Sequence, residues 1–301
     1  MSHRMSHRSP HDETKGLIGP GGLANNDHER VPPLPVRRVS VQRAHATLER
    51  LTPFETTLIA HLAVMRCATR QQLGQLQPGE QSAAAHTRRV QRSLSKLVDE
   101  RVIARLERPI GGPRGGSRPP LYCLDVIGAR LAGVDTTSAA RRPRLPGSAH
   151  VAHTLAVGDL YVAVIHAQRA GTLELIGFAT EPECWRHATG PDGQPVTLKP
   201  DAYLHLATAA FEQRTFAEID LGTESVPTIV HKAGVYARYY ATGVEQRAAG
   251  IFPEVLWVVT TQRRHDALTS AFGELRDTPA GLHRVIRRDQ ITTDLLRTPE
   301  D

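Results

Sequence analysis

Cysteine is scarce in this chain: Cys67, Cys123 and Cys184 are the three in 301 residues, each far from the others. That scatter offers no zinc-ligand spacing and suits a reducing compartment. Long apolar runs are also missing, and none approaches the roughly 20 residues that span a bilayer. The N-terminal stretch MSHRMSHRSPHDETKG has no apolar core of the signal-peptide kind. The expectation is a cytoplasmic protein with no membrane partner. What is present is an ordinary globular balance, 40% hydrophobic and 23% charged, in a chain long enough for two domains. The net charge of +6 is unevenly spread. Residues 1–147 hold 23 Lys/Arg against 12 Asp/Glu, and residues 148–301 hold 14 against 19. A basic front half points to a polyanion partner and an acidic back half to something different. Uneven surface charge without a function is the alternative.

The expected organisation has four parts. Residues 1–44 are rich in His, Pro, Gly, Asn and Arg, lack a sustained apolar period, and read as a disordered tail. Residues 45–135 form the first domain. In LTPFETTLIAHLAVMRCA, Thr52 is the N-cap and Pro53 the first helical residue. TRQQLGQL is a short second helix capped by Thr69. The third, from about Ser82 to Val98, turns Val90, Leu94 and Leu97 inward. RVIARLER is a strand, RPIGGPRGGSRPP a basic loop, and LYCLDV a second strand. Helix, helix, helix, strand, basic loop, strand is the order of a winged helix-turn-helix. Its third helix offers Arg88, Arg89, Gln91, Arg92, Ser95 and Lys96, residue types that contact phosphates and base edges from a major groove. Arg108, Arg114 and Arg118 on the wing can reach an adjacent backbone. The implied partner is double-stranded DNA. An Arg-rich solvent face, or a protein-interaction module, is the competing account.

Residues 136–147 are a linker by composition, and residues 148–301 form the second domain. Its pattern is α-β-β-β-α-β-α-β, an α/β sandwich with a mixed sheet, which makes the whole chain α+β. Within it, KPDAYLHLATAAFEQRTFAEIDLGTES places Asp201 at the head of one strand and Glu218 and Asp220 inside the next. Burying an unpaired carboxylate is costly. A metal ion, pairing with basic side chains, or a wet sheet face each accommodates these acids. Antiparallel pairing brings Asp201 towards Glu218, and spacing by two puts Glu218 and Asp220 on one face. Such a group of oxygens suits Mg²⁺ or Mn²⁺. Tyr236, Tyr239 and Tyr240 are spaced as the core-facing edge of a helix, with a hydroxyl in reach of the acids.

These residues carry a resemblance. PDAYL, FAEIDLGTES and HKAGVYARYY are similar to the PD-(D/E)XK nuclease core. With HTLAVGDLYVAV and the winged helix in front, the blocks more closely resemble the replication-relaxation family of actinobacterial plasmids and integrated elements, over about residues 50–262. The resemblance implies a restriction-endonuclease-like second domain, with Asp201 and Glu218 matching the two acids. Asp220 stands where the pattern has Lys. Asp201, Glu218 and Asp220 are then the expected metal ligands, with Lys232 supplying the missing cation to the catalytic set. Lys199, His153 and Asp159 are accessory candidates.

Three functions stay open at this point. One is a DNA-binding accessory protein of a plasmid or mobile element, working with replication or transfer proteins. The second is a Mg²⁺- or Mn²⁺-dependent DNA endonuclease. The third is a winged-helix transcriptional regulator with a catalytically dead nuclease fold used for dimerisation or ligand binding.

Overall fold

The computed structural model describes residues 40–79, 82–107, 119–134, 147–276 and 278–296. Residues 1–39 of the expected tail, the wing residues Arg108, Arg114 and Arg118, and linker residues 136–146 lie outside the described residues. The architecture is mixed α/β, with ten helices among the described residues.

The first helix was not expected. Val41–Leu48 (α1) starts inside the stretch read as tail, with the Ser40 side chain accepting from Arg43 N at 3.1 Å. Only Ala44 and Thr47 are buried along it, too narrow a stripe to show as periodicity. Pro53–Met65 (α2) begins with a full capping box, in which Thr52 accepts from Glu55 N and Glu55 accepts from Thr52 N. Cys67–Thr69 (β1) is a three-residue strand leading into Arg70–Gln75 (α3), capped by Thr69 and Gln72 in the same reciprocal way. Ala83–Asp99 (α4) is capped by Ser82 and buries Val90, Leu94 and Leu97. Ile103–Leu106 (β2) and Leu121–Leu124 (β3) complete a three-stranded antiparallel sheet of order β1-β3-β2. Val126–Leu131 (α5) follows, with Gly128 packed so closely under Val102 that a Cβ would lie 2.2 Å from its carbonyl oxygen.

Ser148–Arg169 (α6) joins the two halves of the core. Tyr161, Val162 and Ile165 pack with Leu58, Leu62, Val90, Leu94 and Ile103 of the front half. Val157, Leu160 and Val164 pack on the second sheet. By length and composition α6 is apolar enough to cross a bilayer, but 50% of that stretch is buried inside the protein, as befits a helix between two cores. Gly158 permits the close approach: a Cβ there would lie 2.7 Å from Met65 Cε and 3.0 Å from Gln72 Nε2.

The second sheet contains Glu174–Thr180 (β4), Ala202–Ala207 (β7), Glu212–Asp220 (β8), Glu254–Val259 (β9) and His283–Arg287 (β10), in the order β10-β9-β8-β7-β4. The β4-β7 and β7-β8 pairs are antiparallel, whereas β8-β9 and β9-β10 are parallel. A polar hairpin, Arg186–Thr189 (β5) and Pro195–Leu198 (β6), inserts between β4 and β7. Val226–Ala241 (α7) and Gln262–Gly273 (α9) cover the face opposite α6, with Val244–Ala249 (α8) between them in sequence. The chain closes with Ile291–Asp294 (α10). β8 lies at the centre and alternates: Ala217 and Ile219 face α6, whereas Phe216 packs under α7.

Candidate functional site

The acids gather at the C-terminal end of β8, where the strand leaves the sheet centre. Continuing the register Ala202↔Ala217 by one residue sets Asp201 opposite Glu218. Asp201 N donates to Ala217 O at 3.0 Å, and Asp201 Oδ2 accepts from Ile219 N at 2.6 Å. The carboxylate thus occupies a backbone donor at the point where β7 ends. Its other oxygen accepts from His153 Nε2, on α6, at 3.0 Å. From the opposite helix, Lys232 Nζ pairs with Glu218 Oε2, and Tyr236 OH donates to Glu218 Oε1 at 2.5 Å. Lys232 and Tyr236 are four apart on α7, so both hang over the strand position that Glu218 fills.

Asp220 takes a different partner from the one its neighbours suggest. Its Oδ2 pairs with Arg264 Nε, and its Oδ1 accepts from Gly222 N at 2.8 Å. Arg264 also donates from Nη2 to Glu224 O at 2.7 Å. A signal for this contact exists in the topology: Asp220 is in parallel register with Val259, so the first turn of α9, which follows β9, lands beside Asp220. Arg264 and Tyr236 are the two site residues that the sequence pattern did not single out as ligands or cations.

The electrostatics follow from burial. Burial raises the Asp201 carboxyl, but the His153 bond, the Lys232 charge and the Ile219 N–H outweigh it and leave Asp201 below the usual range. The Asp201 bond raises His153 against the opposing effect of burial. Glu218, 1% exposed, is pushed up to about 8 by burial and by the Asp201 charge, against Lys232 and Tyr236. Burial works to lower Lys232, yet the charges of Glu218 and Asp201 hold it above its ordinary value. Glu218 is therefore the carboxyl of the cluster that takes up a proton most readily.

A hollow of about 230 Å³ opens over this cluster, lined by His153, Asp201, Glu218, Asp220, Glu224 and Lys232 among others. Oxygen donors of this kind suit a hard divalent cation. However, each carboxylate already has a partner: the His153 ring for Asp201, the Lys232 ammonium for Glu218 and the Arg264 guanidinium for Asp220. Among the described residues no group of three His, Cys, Asp or Glu side chains is arranged to hold a metal. As arranged, these residues do not fit a resident metal ion, because ammonium and guanidinium groups fill the positions a cation would take.

The other residues singled out from sequence fall elsewhere. Asp159 is one turn and a half along α6 from His153 and holds Gln72 Nε2 at 2.8 Å and Arg288 Nη2. Lys199 lies with its ammonium 4.3 Å over the Trp185 ring, away from the acids. On α4, Arg88, Gln91, Arg92 and Ser95 are exposed along one face beside a shallow concavity. The remaining two candidates on that helix point back to α2. Lys96 Nζ is 2.8 Å from Glu55 Oε2, and the Arg89 guanidinium is 4.3 Å over the Phe54 ring.

No curated protein and no solved structure matches the chain. A family model described as replication-relaxation does match, over residues 59–255, a stretch that includes both the α4 face and the Asp201, Glu218 and Lys232 cluster but stops short of Arg264. With well over half of its length matched by that model, the chain belongs to the replication-relaxation family.

Proposed function

We propose that the protein binds double-stranded DNA through α4 and serves as an accessory factor in the replication or relaxation of a plasmid or other mobile element. The observation that carries this reading is the α4 face. Arg88, Gln91, Arg92 and Ser95 recur at the i, i+3, i+4 and i+7 positions, all exposed, on a helix whose other side is locked into the core by Val90, Leu94 and Leu97. A rigidly seated helix with guanidinium and amide groups on its outer face suits a major groove. The order α2, α3, α4, β2, β3 supports a winged helix-turn-helix. Family membership supports the replication setting.

For the second half, the strand order around α6, β4, β7, β8, α7 and β9, with helices on both faces, supports a nuclease-derived sandwich of the PD-(D/E)XK kind. Lys232 on Glu218 supplies a lysine that the Asp220 substitution removed from the strand. The three carboxylates, each bound to its own nitrogen partner, favour a domain that holds DNA or a partner without cutting it, and so the accessory role over an endonuclease. The regulator reading differs from the accessory role in its DNA target rather than in the geometry of this site.

The test is duplex binding by fluorescence anisotropy over a salt series. Binding with a steep negative dependence on log[salt], weakened in Arg88→Ala/Arg92→Ala with a slope shallower by roughly two, supports the reading. Salt-insensitive or unchanged binding in the double variant sinks it. Incubation of supercoiled plasmid with protein and Mn²⁺ decides the chemistry: nicks lost in Asp201→Ala would establish the endonuclease reading instead.

A further inference from the structure

We propose that a second hollow, beside the acid cluster, is a binding site for an unpaired nucleobase, a deepening that rests on the DNA-binding reading above. The hollow measures about 280 Å³ and lies between the end of α2, the first two turns of α6 and the turn that follows β4. It shares His153 and Asp201 with the acidic hollow, so the two cavities meet at that hydrogen-bonded pair.

Its chemistry is that of a planar heterocycle carrying a phosphate. Met65, Val157 and Pro182 give apolar walls, and the Trp185 ring lines one side. Lys199 sits over that ring at 4.3 Å and is not among the residues that line the hollow. Every base has a π-face, so an indole beside a slot of this kind is a stacking platform with little sequence preference. Thr154 and His150 add polar edges for the rim of a base.

Arg66 brings the positive charge. It caps α2 with φ of 63°, a left-handed conformation that side chains other than glycine rarely adopt. Strain of this kind persists only where the surroundings enforce it. Here Arg66 Nη1 donates to the Glu181 carbonyl and lies 3.5 Å from Glu183 Oε2, an exposed pair that leaves 54% of the Arg66 side chain accessible, so a phosphate would compete with Glu183 for the guanidinium. The platform is held from behind as well. Trp185 Nε1 donates to Glu181 Oε1 at 3.1 Å, and the buried Cys184 thiol donates to Pro200 O at 2.9 Å, tying the turn to the residue next to Asp201.

A reporter is built in. Of the two tryptophans, Trp257 is 1% exposed, so quenching of accessible emission reports Trp185. The full chain would be titrated with a short oligodeoxyadenylate and, separately, with a blunt two-stranded duplex that has no unpaired bases. We expect the single strand to quench Trp185 and to bind Trp185→Ala at least tenfold more weakly. Trp185→Phe should retain the affinity, and blunt-duplex affinity should be equal in all three proteins. Absence of quenching, or equal loss of single-strand and duplex affinity in Trp185→Ala, overturns the proposal. Failure of wild-type protein to bind the blunt two-stranded duplex, with quenching by the single strand intact, would instead refute the α4 reading and leave the hollow standing.

Discussion

The two halves of the molecule treat charge in opposite ways. In the front half the carboxylates are few, and Arg88 and Arg92 of α4 are exposed on a helix that buries only apolar residues. In the back half three carboxylates are buried around the end of β8, and each meets a nitrogen partner from a different helix: His153 from α6, Lys232 from α7, Arg264 from α9. Outward charge is cheap to hold and is available to a polyanion. Inward charge is costly to desolvate, so it persists only as closed pairs, and these pairs fix the three helices against the sheet end. The same residue types thus stay accessible at the surface in one half and close a rigid site in the other.

The largest effect is expected where that closure is broken outright. Arg264→Ala would leave Asp220, 5% exposed, with the Gly222 N–H as its remaining hydrogen bond of the two described. Removing one partner of a buried pair costs about 3–5 kcal/mol, which denaturant unfolding would register as a lower midpoint. Arg264→Lys should recover only part of this, since a single ammonium does not reproduce the fork that also reaches Glu224 O. A loss under about 1 kcal/mol in Arg264→Ala would mean that the inward pairs are not closed, and the contrast between the halves would fail.

The second effect concerns protons. Glu218 titrates near 8 in the folded protein, well above its unfolded value of about 4.5, so the folded state binds more protons across that interval. Its contribution is fully present below the unfolded value and is lost as pH rises towards 8. The slope is at most about 1.4 kcal/mol per pH unit for one proton. His153, also raised, adds loss in the same direction as pH rises through its folded value. Asp201 is depressed, so its contribution is lost only on acidification below the ordinary carboxylate range. Melting temperature measured between pH 5 and 8 should therefore fall with rising pH, and Glu218→Gln should flatten that fall. An unchanged profile in the variant would place the proton elsewhere.

How far the sequence revealed these halves depends on the range of the interactions. The starts of α2 and α3 were legible because Thr52, Pro53 and Thr69 act on residues within one turn. The approach of Asp201 to Glu218 was legible because consecutive antiparallel strands bring such positions together. The pairing of Asp220 with Arg264 was not, since 44 residues and a parallel crossover separate them. The β5-β6 hairpin buries only Val196 and Leu198 deeply along its eight strand residues, and α5 lasts six residues after a strand, so neither leaves a clear period. Asp159 and Lys199 carried charge in plausible places, but their partners, Gln72 and Trp185, come from elements that only the tertiary fold brings near.

The smaller effects separate residues within α4 itself. Arg88→Ala/Arg92→Ala should weaken duplex binding by about tenfold or more while leaving unfolding within about 0.5 kcal/mol of wild type, as expected for exposed positions. Lys96 tests the opposite combination. It was expected among the DNA contacts, yet its ammonium sits on Glu55, which is 5% exposed in its side chain while that of Lys96 is 39% exposed. Burial raises Glu55, but the Lys96 bond and the two Thr52 contacts more than offset this and hold it below its usual value. Because the Thr52 capping box survives in Lys96→Met, and because Lys96 is partly solvated, the stability loss should stay near 1 kcal/mol or less. Duplex affinity should change under twofold, and the salt slope should stay the same. A salt slope shallower by about one in Lys96→Met would show that the lysine leaves Glu55 for a phosphate, and inward pairing would then extend to the front half only in the absence of DNA.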